Sequence, residues 1–380
     1  MQAVLVNGRI LTADGVLDGK GLVIRGGRIA AILERQDAPS GAALVDLEGG
    51  TLVPGFIDTQ VNGGGGVLFN DAPTVETIAT IGRAHRAFGT TGFLPTLISD
   101  DLSVVDQAMR ATEAAMAAGV PGVLGVHIEG PFLNVQRKGI HDAGKFRVID
   151  EAAFELLASL RTGCTLVTLA PETTTPEMIR RLSQAGVRIA AGHTNATYPT
   201  VRDALDAGLT GFTHLFNAMS PLTSRAPGVV GAALEDQDAW CGLIVDGRHV
   251  DPAVLRIALR TRPQDRFMLV TDAMPTVGMT EKTFTLQGRQ IHVVDGVCVD
   301  QHGTLAGSDL DMVSAVRNAM AMIGLSLAAA VQMASAAPAA FLGLTDQRGQ
   351  ISVGQAADLV LLDEDLQVRE TWIGGVSSGR

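Results

Sequence analysis

Through residues 52–271 the sequence alternates short apolar runs with segments of helical periodicity, and four runs end on a metal-binding side chain. These are Val-Leu-Gly-Val-His127-Ile-Glu129, Ile-Ala-Ala-Gly-His193, Thr-Gly-Phe-Thr-His214 and Met-Leu-Val-Thr-Asp272. An unbroken apolar run reads as a strand covered on both faces, and strands alternating with helices read as a parallel sheet wrapped by helices. Strand candidates lie near 52–57, 92–97, 122–128, 164–169, 187–191, 210–214, 240–245 and 267–271. Helical periodicity fills most gaps, as at 75–88, 102–118, 175–185, 198–207 and 252–259. Eight such units predict an α/β fold, a (β/α)8 TIM-like barrel over 54–348. A doubly wound open sheet is the rival, but no Gly-x-Gly-x-x-Gly follows an early strand.

The two ends of the chain have a different rhythm. Residues 1–53 and 349–380 read as short strands with turns such as Asn7-Gly8, Asp14-Gly15 and Gly26-Gly27, predicting one small β-sandwich-like domain built from both termini. A β-rich insertion is expected near 282–303, with turns at Gln287-Gly288 and Asp295-Gly296. Between Arg317 and Asp346 there is no charge, but Gly324, Ser326 and Pro338 punctuate the stretch into consecutive helices rather than a membrane span. A net charge of -11 argues against a nucleic-acid surface. Three widely spaced cysteines, Cys164, Cys241 and Cys298, with no secretory leader at the start, predict a reducing, cytoplasmic setting.

In a barrel the carboxyl ends of the strands share one face, so Glu129, His193, His214 and Asp272 converge there. Two imidazoles and a carboxylate suit a catalytic divalent metal, zinc being usual and Fe²⁺, Mn²⁺ or Co²⁺ alternatives, with a position left for water. Asp272 is the candidate for moving that water's proton to a leaving nitrogen, and His141 the candidate donor to a carbonyl oxygen. His127 shares a strand face with Glu129 and is either a further ligand or a hydrogen-bond partner of one. His85 is expected on a helix surface; His292 and His302 have no assigned role. For an anion, Arg225, Arg248 and His249 lie in loops after the sixth and seventh strands, and Asn217 and the Ala218 N–H add neutral donors.

The chain resembles the N-acetylglucosamine-6-phosphate deacetylases of the amidohydrolase superfamily nearly end to end. The resemblance rests on Pro54-Gly-Phe-Ile-Asp58, Asn62-Gly, Leu94-Pro-Thr96, His127-Ile-Glu-Gly-Pro-Phe132, Lys138-Gly-Ile-His141, Ala170-Pro-Glu172, Gly192-His-Thr194, Thr213-His-Leu-Phe-Asn-Ala-Met219, Asp246-Gly-Arg-His249, Thr271-Asp-Ala273 and Leu305-Ala-Gly-Ser308. It implies that Glu129, His193 and His214 bind the metal, that Asp272 is general base and then acid, and that His141 polarises the acetyl carbonyl. It also implies that His249, Arg225, Asn217 and Ala218 hold the sugar phosphate, with Arg225 reaching the neighbouring site of a homodimer. Many amidohydrolases carry His-x-His after the first strand; here Gln60 and Asn62 stand there, which predicts a single metal and places both residues at the substrate site. N-acetylgalactosamine 6-phosphate is the rival substrate, and a non-catalytic scaffold is the rival of another class.

Overall fold

Eight parallel strands position the site, and they neighbour one another in chain order: β1 (Phe56–Val61), β2 (Thr90–Ile98), β3 (Gly125–Glu129), β4 (Cys164–Leu169), β5 (Arg188–Ala191), β6 (Gly211–Phe212), β7 (Trp240–Leu243) and β8 (Phe267–Leu269). The computed structural model describes residues 2–39 and 41–379. Register is set by pairs such as Thr96 with His127 and Glu129 with Thr168. The ring all but closes just past β8, where the Asn62 amide donates to the Ala273 carbonyl at 2.9 Å and the Asp272 amide to that of Gln60 at 3.0 Å. The barrel predicted by the alternation is therefore present, with its carboxyl ends on one rim.

The strands read as apolar runs because both faces are covered. Inside, Ile57, Leu94, Leu166 and Met268 meet Phe341 from helix Ala336–Phe341. Outside, Ile78 and Ile81 of helix Val75–Arg86 and Val105 and Met109 of helix Leu102–Ala117 join the large core with Phe93 and Val126. The last three helices follow their punctuation. Gly324 adopts a left-handed φ of 79° after Met312–Ile323, and the Ser326 hydroxyl caps Leu327–Ala334 by accepting from the Ala329 amide. No helix among the described residues is long and apolar enough to cross a membrane.

Two expectations need correction. The run at 52–57 is two strands, not one: Thr51–Pro54 pairs with Leu359–Leu362 and with Arg9–Thr12, and β1 starts only at Phe56. Gly55 makes the crossing, where a Cβ would lie 2.1 Å from the Thr91 hydroxyl oxygen. His85 is not on the surface but 0 % exposed, because its helix packs it against the chain after β1, with Nε2 2.9 Å from the Gly63 carbonyl.

Strands from the two ends build two further sheets. One orders Arg28–Glu34, Lys20–Arg25, Gln2–Val6 and Ala43–Asp46; the other orders Val376–Ser377, Val368–Ile373, Leu359–Leu362, Thr51–Pro54, Arg9–Thr12 and Gly15–Leu17. Leu5, Ile10, Leu22, Leu52, Leu359 and Trp372 form a common core. Between β8 and helix Met312–Ile323, four antiparallel strands run from Thr283 to Ser308, slightly beyond the expected insertion. Its hairpins turn at Gln287-Gly288 and Asp295-Gly296, all four residues having positive φ. Leu286, Ile291, Cys298 and Ala306 pack on Ile98, Ile140 and Met274, so this sheet walls one side of the rim.

Candidate active site

The carboxyl-end rim gathers three donors within hydrogen-bond distance of one another. Glu129 ends β3, and its Oε1 lies 3.2 Å from His193 Nε2 and 3.0 Å from His214 Nε2; the two imidazole nitrogens are 3.1 Å apart. All three residues are buried and form a group able to hold a metal ion. His193, His214 and Asp272 follow their strands with φ of 48°, 32° and 53°. Such left-handed backbone at non-glycine residues costs on the order of 1–3 kcal/mol each, and here the strain turns strand-end side chains inward.

The hydrogen-bond chemistry of this group fits a cation. His193 Nδ1 lies 2.9 Å from the Arg137 carbonyl, which only accepts, so Nδ1 carries the proton and a neutral ring presents a lone pair at Nε2. That lone pair faces a carboxylate oxygen and a second imidazole, an arrangement that a shared positive ion satisfies. His214 Nδ1 is buried with no partner among the described residues, so nothing described on its far side opposes Nε2 acting as a ligand. Burial raises the Glu129 carboxyl, but contact with the two imidazoles outweighs it and holds it well below the usual carboxylate range.

Asp272 stands beside this group. Its Oδ1 accepts from Gln60 Nε2 at 3.1 Å and from Asn62 Nδ2 at 2.7 Å, which leaves Oδ2 without a partner among the described residues. Burial first, then the charge of Glu129, pushes its pKa up to about 6. Gln60 Nε2 also donates to Glu129 Oε2 at 3.1 Å, so one neutral amide joins the two carboxylates where His-x-His enzymes place a second cation. Gln60 and Asn62 are buried beside these carboxylates and are not among the residues lining the cavity.

In front of the group lies a cavity of about 330 Å³ lined by Glu129, His141, His193, His214, Asn217, Ala218, His249 and Asp272. His141 is buried against His193, ring centroids 4.3 Å apart, and burial keeps its pKa well below the ordinary histidine value, so its ring is neutral. His249 Nδ1 lies 2.6 Å from Asp246 Oδ2, while Asp246 Oδ1 accepts the Arg248 and His249 amides. The Asp-Gly-Arg-His spelling carries that turn, and the same carboxylate holds both the turn and the ring.

After β6, positive φ at His214, Phe216 and Ala218 alternates with ordinary backbone, a conformation that gathers N–H groups into an anion-favouring concavity. The Ala218 N–H has no partner among the described residues, whereas the Asn217 amide and carboxamide nitrogens both donate to the His214 carbonyl, at 3.0 and 3.2 Å. Arg225 is exposed and does not line the cavity of its own chain. Arg248 is an exposed partner of Asp295 on the insertion. His127 is no ligand: Nε2 lies 2.7 Å from the Thr168 hydroxyl and Nδ1 3.4 Å from that of Thr96, and burial lowers its pKa to about 4. Arg137 and Thr304 also line the cavity, and no motif in the sequence points to them, whereas Leu305 beside them opens the Leu305-Ala-Gly-Ser308 stretch.

A model of the Amidohydrolase family matches residues 51–377, and one described as NagA composite domain matches 3–52. The chain belongs to the amidohydrolase family. An N-acetylgalactosamine-6-phosphate deacetylase of Shewanella sp. (strain ANA-3) is 48% identical, over 87% of this chain and 83% of that protein. The crystal structure of N-acetylglucosamine-6-phosphate deacetylase from Pasteurella multocida superposes with a TM-score of 0.96 at 36% identity, covering 100% of both chains. A mutant of the Mycobacterium smegmatis N-acetyl-D-glucosamine-6-phosphate deacetylase, solved in complex with N-acetyl-D-glucosamine-6-phosphate, superposes with a TM-score of 0.89 at 34% identity, covering 99% of this amidohydrolase and 98% of that chain.

Proposed function

We propose that this amidohydrolase deacetylates N-acetyl-D-glucosamine 6-phosphate, giving D-glucosamine 6-phosphate and acetate. The observation that carries the reading is the Glu129–His193–His214 group with Asp272 beside it in one cavity, in a chain whose relatives bear that activity in their names. N-acetyl-D-galactosamine 6-phosphate is the second reading, favoured by the 48% identical relative.

Glu129, His193 and His214 hold one divalent metal; oxygen and nitrogen donors suit zinc, with Fe²⁺, Mn²⁺ and Co²⁺ as alternatives. When bound, such an ion polarises a carbonyl and brings the ionisation of a water down to near pH 7. The chain's residues do the rest. Asp272 Oδ2 is the free oxygen of a buried carboxylate held by its other oxygen, and it takes the water's proton and returns it to the departing nitrogen. Without that proton the amine leaves as an amide anion, a very poor leaving group. His141 donates to the acetyl oxygen as charge builds on it. Gln60 and Asn62 hold Oδ1, which keeps Oδ2 turned to the reaction, and the Gln60 amide supports a single-metal centre by joining the carboxylates without a second cation.

The phosphate is met by the Ala218 N–H, Asn217, His249 and Arg225. Since Arg225 lies outside its own cavity, a homodimer in which it reaches the neighbouring site completes the pocket. The terminal sheets and their common core support residues 1–53 and 349–380 as one small domain beside a 54–348 barrel. Three free cysteines fit a cytoplasmic setting. The test is acetate release from both sugar phosphates, with metal analysis of the same preparation. One metal per chain and faster turnover of the glucosamine substrate are expected; faster turnover of the galactosamine substrate selects the second reading. No acetate from either overturns the deacetylase reading.

A further inference from the structure

His141, His193 and His249 share the cavity, yet their Nδ1 atoms meet different chemistry. His193 Nδ1 meets the Arg137 carbonyl and His249 Nδ1 the Asp246 carboxylate, so both donate from Nδ1. His141 Nδ1 instead receives the backbone N–H of Ser99 at 3.3 Å, with the Ser99 hydroxyl at 2.8 Å. An amide N–H only donates, so Nδ1 of His141 must present its lone pair. A neutral imidazole with Nδ1 unprotonated carries its hydrogen on Nε2, and the latter has no partner among the described residues.

We propose that Ser99 is a positioning residue that locks His141 as the Nε2–H tautomer, aiming a neutral N–H donor at the acetyl carbonyl. The inference deepens the deacetylase reading, since it names the device that makes His141 a donor rather than an acceptor at that oxygen.

Ser99 is well placed for this. It directly follows β2, is 0 % exposed, and its own carbonyl accepts from Gln287 Nε2 at 3.2 Å. Gln287 sits in the first hairpin of the insertion, so the added sheet braces the residue that braces His141. Space is reserved from the other side by Gly130, which follows the ligand Glu129: a Cβ there would lie 2.2 Å from the Ser99 hydroxyl oxygen. The positive φ of 90° at Gly130 resists substitution independently. An acceptor at position 99 would permit the opposite tautomer, which presents a lone pair to a carbonyl oxygen and gains nothing as negative charge develops.

The test is a long-range ¹H–¹⁵N correlation spectrum of the zinc-loaded enzyme labelled at histidine, assigned with His141→Gln. Wild type should show His141 with pyrrole-type Nε2 and pyridine-type Nδ1, the reverse of His193, whose Nδ1 carries the proton. Ser99→Ala keeps the longer amide contact and loses the shorter hydroxyl one. Its His141 signals should move towards a tautomer mixture, and kcat should fall ~10-fold with KM and zinc content unchanged, less than the 10²–10³ typical for losing such a donor outright. Ser99→Thr should restore both. A wild-type Nδ1–H tautomer overturns the proposal even if Ser99→Ala fails to fold, and so does a folded Ser99→Ala with unchanged spectrum and kcat. A locked Nε2–H tautomer that Ser99→Ala loosens, in an enzyme releasing no acetate, leaves this inference standing and removes the deacetylase reading.

Discussion

The two walls of the cavity are built in opposite ways. On one, Glu129, His193, His214 and Asp272 sit at or just past barrel strands and are buried, the first three within hydrogen-bond distance of one another and Asp272 tied to Glu129 through the Gln60 amide. On the other, Asn217, Ala218 and His249 lie in loops, and Arg225 lies outside the cavity altogether. The first wall is complete within one chain; the arginine proposed for the second lies outside the cavity of its own chain. Bond-making groups need positions fixed to a fraction of an ångström, which strand ends supply. An anion can be held by charge on a looser frame, and the family resemblance assigns part of that frame to a second subunit.

Asp272→Asn tests the first wall and should have the largest effect. The amide cannot take a proton, so kcat should fall about 10³- to 10⁴-fold. Zinc content should be unchanged, because Asp272 is outside the Glu129–His193–His214 group. The loss should also be equal for phosphorylated and unphosphorylated N-acetyl sugars. Steady-state kinetics on both, beside metal analysis, makes the check. Turnover close to wild type would remove Asp272 from proton transfer.

Arg225→Ala tests the second wall. A charge-assisted bond to phosphate is worth about 1.5–3 kcal/mol, so KM for the sugar phosphate should rise roughly 10- to 100-fold with kcat nearly kept. KM for the unphosphorylated sugar should not move. If the arginine acts across a dimer, mixing Arg225→Ala with Asp272→Asn chains should restore low-KM turnover in the hybrid sites. Equal effects on both sugars would show that the walls are not separate in function.

This contrast explains what could be read from the sequence. Strand-end ligands announce themselves, because an apolar run closing on His or Glu is local and the barrel converts it to convergence. Caps such as Gly324 and Ser326 are equally local. The run at 52–57 misled because two buried strands of different sheets are spelled alike, and only the crowding of Gly55 against Thr91 separates them. His85 misled because burial depends on what the helix packs against, here the chain after β1. The partners that set tautomers were out of reach for another reason. Ser99 acts on His141 through its backbone and hydroxyl across 42 positions, and Arg137 acts on His193 through a carbonyl that any residue carries.

What the first wall rests on shows in stability rather than in turnover. Asp58 is 0 % exposed in β1; it accepts the Thr271 hydroxyl at 2.5 Å and the Gln60 and Thr271 amides at 3.2 and 3.3 Å. Those bonds favour its charged form, but burial outweighs them and raises its pKa from 3.8 to about 7. Between those values the folded chain binds this proton and the unfolded chain has released it, so stability from this group falls as pH rises through the window. Above it, the loss reaches on the order of 4 kcal/mol if the full shift is expressed. Asp58→Asn has no such proton, and its carboxamide can still accept the two amides and donate to the Thr271 hydroxyl. Thermal unfolding of the zinc-loaded proteins should therefore show the variant gaining on wild type as pH rises from 5 to 8, by a few degrees in Tm for a chain of this size. A difference that stays constant with pH would mean Asp58 is charged throughout, and that the wall built on β1 and Thr271 tolerates a buried anion supported by hydrogen bonds alone.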